Sequence, residues 1–380
     1  MGFFSSNEKE KIFLLLDISS GSVGASLFLS NKKEVPFILK TFRKNFSFSS
    51  NDSLIDSEKS IIRNVDLICE EIQKSLFIKP DKIFCVLSTP WSHGEVYSIK
   101  YESDREFVVN QTLLNKLIND EVDKIKNNWP ALTKLIDRKI VKVTLNGYNT
   151  DNPIHKKAKK IKLDVFLSLT NSNFLHTLEE KINKTFKTRI LVTSQMFSNF
   201  ISVRDIFDIQ NNFIIIDFGE EVTEVMVMKE DHLTGTAFFP FGKNHIIKNI
   251  AKRLNKSNHE TKSLLNLFHD GFIDENINHG FIKTVHDIGR AWLSEFKIIL
   301  NQLVPDRYLP HNIFIVSDSQ TEHLLSGYFG KVFFPEFTTS HNDFNVIIAD
   351  SKTMHDFVDF AEKVERDPKL IMKSIFINNL

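Results

Sequence analysis

Two aspartates in matching surroundings, Asp17 and Asp217, are the residues in this chain best placed to do chemistry. Asp17 ends the apolar run 12–16 and is followed by a turn of small residues, Ser19, Ser20, Gly21 and Ser22. Val23, Ala25, Leu27 and Leu29 then alternate with other residues. Asp217 ends the apolar run 213–216. The chain bends at Gly219 and resumes with Thr223, Val225 and Val227. Each segment reads as a β-hairpin with a carboxylate at its bend. The offset is constant, 217 − 17 = 200, and Phe13 matches Phe213. A single repeat of this size implies two similar half-molecules. Turns related in this way can close over a phosphate tail. Their backbone N–H groups and the hydroxyls of Ser20, Ser22 and Thr223 would bind phosphate oxygens. The carboxylates of Asp17 and Asp217 would hold Mg²⁺, directly or through water. Either aspartate alone would read as the cap of its own tight turn; the matched pair favours descent from a phosphate cleft. No catalytic base stands out.

The elements that must position these residues alternate between strand and helix. Helical patterns cover 61–76, 244–254 (entered through Pro240 and Gly242) and 287–303, which carries Trp292 and Phe296. A short apolar strand at 313–316 ends at Ser317 and Asp318. The alternation indicates the α/β class. Between the halves, strands at 83–87, 107–109, 140–145 and 161–169 and a helix at 112–125 suggest a compact α+β insertion over 80–170. The expected division is 11–79 plus 171–211 for a first lobe, 80–170 for the insertion and 212–380 for a second lobe.

Composition narrows the partners. Lys+Arg and Asp+Glu both number 48 in 380 residues, so no net charge advertises a nucleic acid. The one dense basic run, 155–162, lacks interleaved aromatics and reads as a solvated loop leading into a strand. Two cysteines, Cys69 and Cys85, read as buried reduced thiols of a cytosolic protein. No apolar run is long enough to span a membrane, and residues 1–10 lack a secretory pattern. Histidine spacing offers no metal site and no Walker loop or GxSxG elbow occurs. The apolar end of the chain, with Leu370, Ile371, Ile375, Phe376 and Ile377, reads as a last element packed on the core rather than as a membrane-surface helix.

These residues bring a family into view. The segments at 17–23 (DISSGSV) and 217–224 (DFGEEVTE) resemble the two phosphate loops of the actin-like ATPases of the FtsA and PilM type, bacterial division and pilus-assembly proteins. The stretch 238–245 (FFPFGKNH) resembles the family's strand running into Pro, Gly and a helix. The segments 145–148 and 152–154 resemble its approach to an inserted strand, and 193–200 stands where its interlobe helix begins. The resemblance implies a duplicated actin-like (ribonuclease H-like) two-lobe fold with an inserted α+β domain of the SHS2 type. It implies ATP and Mg²⁺ as ligands, with Asp17, Ser20, Gly21, Ser22, Asp217, Gly219, Thr223, Gly242 and Ser317 around the nucleotide, and Asp17 and Asp217 on the metal.

The departures from the family pattern are specific. Glu220 and Glu221 follow Gly219 where glycines are usual, and Ser19 stands for a glycine of the first loop. The adenosine loop 316–320 (VSDSQ) has no glycine to let backbone approach a ligand closely. Glu260 and Lys262 give no clean match to the family's second-lobe nucleotide residues. The resulting expectation is a cytosolic scaffold, peripheral at the inner face of the membrane through its partners, with weakened ATP binding and at most weak ATPase activity. It would dock a membrane-protein cytoplasmic tail or a filament-forming protein, or associate with itself. The alternatives are an active Mg-dependent ATPase or phosphotransferase of the same fold, and a degenerate module that binds no nucleotide.

Overall fold

The computed structural model describes residues 10–31, 33–46, 54–76, 79–207, 212–269, 272, 279–304, 309–317 and 344–380. The chain opens with β1 (Lys11–Ile18), β2 (Ser22–Ser30), β3 (Phe37–Asn45), α1 (Leu54–Leu76) and β4 (Lys82–Leu87). There follow β5 (Ser92–Val108), α2 (Gln111–Asn128), β6 (Lys134–Leu145), β7 (Tyr148–Asn149) and β8 (Lys157–Thr170). Next come α3 (Ser172–Phe186), β9 (Ile190–Ser194) and α4 (Gln195–Phe207), which lead into the second half. That half contains β10 (Phe213–Phe218), β11 (Thr223–Lys229), β12 (His232–Phe239), α5 (Lys243–Leu254), α6 (Asn258–His269) and α7 (His279–Leu303). The chain closes with β13 (Asn312–Val316), β14 (Asn345–Ile348), β15 (Asp359–Phe360) and α8 (Pro368–Asn378).

The repeat seen in sequence is a repeat of topology. In the first sheet, ordered β15-β3-β2-β1-β4-β9, β1 runs antiparallel to β2 and parallel to β4. In the second, ordered β12-β11-β10-β13-β14, β10 runs antiparallel to β11 and parallel to β13. Asp17 lies opposite Gly24 and Asp217 opposite Glu224, at equivalent registers. Both central strands are unbroken apolar runs, buried on both faces, as a strand covered by helices requires.

Two boundaries differ from the sequence division. β4, within the expected insertion, pairs with β1 and β9 and belongs to the first sheet. The separate sheet, β5-β8-β6-β7, starts only at Ser92. It packs on α2 through Leu114, Ile118, Val122 and Ile125, with Leu163 and Leu167 beneath. Asn110 caps α2, accepting from the Leu113 N–H at 2.8 Å. At the other end, β15 pairs with β3 and α8 packs on β1, β2 and α4, so the last residues return to the first lobe.

Each lobe has a core of its own, around Leu16 and Ile68 in the first and around Ile216 and Trp292 in the second, and a third core joins them. The joining cluster takes Leu15 and Phe84 from the first sheet, Ile215 and Phe314 from the second, Phe200 and Val203 from α4, and Leu370, Ile371 and Ile375 from α8. Burial of this kind stabilises by about 25 cal/mol per Å² of apolar surface, so the joint between the lobes is part of the folding core. No helix among the described residues is long and apolar enough to cross a membrane. Both cysteines are free and buried.

Candidate functional site: the interlobe cleft

The two hairpin bends meet in the cleft, and the chain's own side chains fill the space between them. Lys373 Nζ lies 2.5 Å from Asp17 Oδ1, and Arg43 Nη2 lies 2.8 Å from Asp17 Oδ2. Lys369 Nζ lies 2.9 Å from Asp217 Oδ1. Asp217 Oδ2 accepts from Gln195 Nε2 at 2.8 Å and from Asn199 Nδ2 at 2.5 Å. Lys373 also donates to Gln195 Oε1 at 2.7 Å, so the two aspartates are joined through Lys373 and Gln195. All of these residues except Arg43 are nearly inaccessible to solvent.

Local sequence explains how the cations arrive. Asp367 caps α8, accepting from the Leu370 N–H at 3.1 Å, and Pro368 occupies the first turn, where its missing N–H costs nothing. Every residue of α8 is buried. Lys369 and Lys373 sit at i and i+4 and therefore share one face. That face turns toward the two carboxylates. Gln195 and Asn199 repeat the same spacing on α4. Arg43 on β3 ties the cap to the cleft, with its Nε 2.5 Å from Asp367 Oδ2.

The hydroxyls expected on phosphate oxygens are also engaged. Ser22 Oγ donates to Glu220 Oε1 at 2.6 Å and accepts from Arg43 Nη1 at 2.7 Å. Ser20 Oγ accepts from the Glu221 N–H at 3.1 Å. Thr223 Oγ1 donates to the Phe241 carbonyl at 2.7 Å and accepts from Trp292 Nε1 at 3.1 Å. The glycines serve close packing between loops. A Cβ at Gly21 would lie 2.6 Å from Glu220 Cβ, and one at Gly242 would lie 2.6 Å from the Gly219 and Glu220 backbone. The first N–H groups of α5 point at those same carbonyls, with Lys243 N to Gly219 O at 3.0 Å and Asn244 N to Glu220 O at 2.7 Å. Ser317 is buried at the end of β13, and residues 318–320 of the expected adenosine loop lie outside the described residues. Glu260 forms a capping box with Ser257 at the start of α6.

This donor set does not fit a Mg²⁺-triphosphate. The cavity between Ser20, Ser88, Asp217, Glu220, Glu224 and Lys369 has a volume of ≈ 0 Å³. Both carboxylates meant for the metal already hold fixed cations. Among the described residues no group of three His, Cys, Asp or Glu side chains is arranged to hold a metal ion. The structure brings Asp17, Ser20, Gly21, Ser22, Asp217, Gly219, Thr223 and Gly242 together at the two bends and their supports. Sequence reasoning missed Arg43, Gln195, Asn199, Glu220, Lys369 and Lys373.

The electrostatics agree with a paired interior. Burial pushes the Asp17 carboxyl up, but the Lys373 ammonium and Arg43 guanidinium outweigh it and hold that carboxyl well below the usual range. Burial likewise works against the charge of Lys369, while Asp217 and Glu220 raise its pKa far above the ordinary lysine value. Glu224 stands apart. Its Oε1 accepts from the Thr89 N–H at 2.9 Å, and its Oε2 has no partner among the described residues. Burial first, then the neighbouring Asp217 charge, push its pKa up to about 7.

A carboxyl raised in the folded state binds a proton that the unfolded chain releases. Its contribution is complete below the ordinary value of 4.5 and is lost as pH rises through about 7. Glu224→Gln keeps the acceptor for Thr89 and removes the titration. Denaturation at about pH 5 and about pH 8 should show the variant losing about 2–3 kcal/mol less than the wild type across that interval. Parallel pH profiles for the two proteins would show that Glu224 is charged throughout.

No protein-family model matches the chain, and no curated protein matches it. Solved structures do. A chain of the PilM–PilN type IV pilus biogenesis complex superposes with a TM-score of 0.62 at 9% identity, over 97% of this chain and 98% of that one. The ethanolamine utilization protein EutJ from Carboxydothermus hydrogenoformans gives a TM-score of 0.44 at 11% identity, over 98% of this chain and 89% of the other. A Bacteroides thetaiotaomicron protein with an actin-like ATPase fold and unknown function gives 0.38 at 8% identity, over 99% of both chains. At these identities the likeness speaks for the fold alone. With paired hairpins, two sheets of matching topology and an insertion after the fourth strand, the chain has the actin-like ATPase fold in its PilM-type form.

Proposed function

We propose that the protein is an actin-like scaffold that docks protein partners of a membrane-associated assembly and turns over no nucleotide. The observation that carries this reading is the cleft. A cleft whose sequence pattern points to a phosphate ligand closes instead around its own side chains, which leaves its surfaces as the means of action. The superposed neighbour comes from a complex with a second protein, PilN. The insertion, of the SHS2 type in this reading, is the favoured docking element. It adds a sheet that the paired lobes do not need, and it presents Trp129 (61% exposed) and Tyr148 (80% exposed). The partner class is a cytoplasmic tail of a membrane protein, and the chain would sit at the inner face of the membrane through that contact.

A photo-crosslinking residue at Tyr148, introduced into the full chain in cells, tests this. Crosslinks to the cytoplasmic segment of a membrane protein, lost in Trp129→Ala, are expected. Crosslinks confined to soluble proteins, or a membrane fraction that never contains the chain, would sink the proposal. Excision of 80–170 is not a usable alternative, because it removes β4 from the centre of the first sheet.

A further inference from the structure

The cations of the cleft have a geometry that ordinary buried ion pairs do not need. They come from one helix, they are one turn apart, and each reaches the aspartate of a different lobe: Lys373 the first, Lys369 the second. An i,i+4 pair is separated by about 6 Å along the helix axis. The two lysines thus reach two carboxylates that belong to different hairpin bends. Mg²⁺ in such a site is bound through one or two carboxylates together with phosphates and waters. Here two ammonium groups and the Arg43 guanidinium supply the positive charge. The amides of Gln195 and Asn199 supply donors to Asp217, and Glu220 supplies the anionic oxygen that Ser22 meets. Each part of a metal–phosphate centre has a covalent counterpart in the chain.

We propose that Lys369 and Lys373 are a built-in replacement for a divalent cation, so that the C-terminal helix, rather than a Mg-nucleotide, holds the two lobes together. Asp17, Asp217 and Asp367 are each held by a cation of the chain, Lys373, Lys369 or Arg43, so a metal or polyphosphate that used these carboxylates would have to displace a partner. The helix is also anchored where it would have to move. Ser374 Oγ donates to Ser26 Oγ at 3.1 Å, Ser30 Oγ donates to Asn378 Oδ1 at 2.8 Å, and Leu370, Ile371 and Ile375 lie in the core shared by both lobes. Withdrawal of α8 to admit a ligand would expose that core. The lobes therefore stay closed in all nucleotide conditions, which goes beyond the docking role and does not depend on it.

The test compares thermal melts of the full chain in chelator, in millimolar Mg²⁺ and in millimolar Mg-ATP. The wild type should melt at one temperature in all three. Lys369→Met/Lys373→Met, which leaves two buried carboxylates with only Arg43 for a cation, should melt several degrees lower in chelator. It should regain part of that loss in Mg²⁺ alone, because the metal now finds the site the ammonium groups held. A wild type stabilised by Mg-ATP, or an altered hydrogen exchange of α8 when Mg-ATP is added, overturns the proposal. So does a folded double variant that ignores Mg²⁺, since its lysines would then be plain structural ion pairs. If the double variant does not fold, the single variant Lys369→Met carries the same metal comparison, and calorimetric titration of the wild type with Mg-ATP decides independently. ATP binding would overturn the internal cation and remove the observation on which the docking role rests, whereas failed crosslinking would overturn the docking role and leave the internal cation standing.

Discussion

Asp17→Ala is expected to destabilise the full chain by about 3–5 kcal/mol, the cost of breaking a buried ion pair from one side. The carboxylate accepts from Lys373 and from Arg43, and it is fully buried. Truncation leaves the Lys373 ammonium buried with Gln195 Oε1 as its remaining acceptor, and it leaves Arg43 leaning on Asp367 and Ser22. The loss is therefore the desolvation of an unmatched charge more than the removal of an attraction. Adding Lys373→Met to Asp17→Ala should recover a large part of the loss, because a hydrophobic chain of similar length replaces the stranded ammonium. Equilibrium denaturation in urea of the wild type, both single variants and the double variant measures this. A nucleotide clamp predicts the opposite pattern: Asp17→Ala would fold as well as wild type and lose only ligand affinity. A stability change under about 1 kcal/mol for Asp17→Ala would remove the ion network from the account of how the lobes are joined.

The acidic side of this cleft was legible in the sequence and the basic side was not, for a physical reason. Asp17 and Asp217 stand at the end of period-free apolar runs, followed by small residues, and local pattern marks such places twice over. Their partners come from far along the chain. Lys373 is 356 residues from Asp17, and Lys369 is 152 residues from Asp217. Nothing local in Lys369 or Lys373 names the acid each will meet. In isolation the two lysines on an apolar segment resemble the polar face of an interfacial helix, and only closure of the fold turns that face inward.

The insertion shows a similar limit. Residues 107–109 read as a strand, but β5 runs from Ser92, and its earlier part, HGEVYSIKYESDRE, is too polar to alternate cleanly. Long pairing with β8, from Ser92 opposite Thr170 to Val108 opposite Lys157, holds it as a strand despite that composition. The buried β4 was visible as a strand, but its sheet was not. A parallel neighbour separated by a long crossover leaves no pairing signal in its own residues.

Trp292→Ala is expected to be as damaging as the loss of Asp17, about 3–5 kcal/mol, although it touches no charge. Trp292 lies on α7 at 2% exposure. Its ring stacks on Phe296 with centroids 5.2 Å apart, and it meets Phe239 at 5.5 Å and Phe218 at 6.1 Å. Phe218 and Phe239 flank the second hairpin bend on β10 and β12. The indole N–H donates to Thr223 Oγ1, which in turn donates to the Phe241 carbonyl just before Gly242. The side chain thus backs the bend with apolar area and fixes its threonine with one hydrogen bond. Trp292→Phe separates the two contributions. It keeps most of the ring area and should cost only about 1–2 kcal/mol, for the lost hydrogen bond and the smaller volume. Stability should be read by urea denaturation of both variants, with hydrogen exchange at 217–224 as a local probe. In Trp292→Ala the amides of the bend should exchange faster by a larger factor than those of the insertion, because the insertion has its own core. Equal acceleration in both regions would mean that Trp292 supports the fold only globally. An unchanged bend would mean that Asp217 and its partners hold their geometry without support from α7.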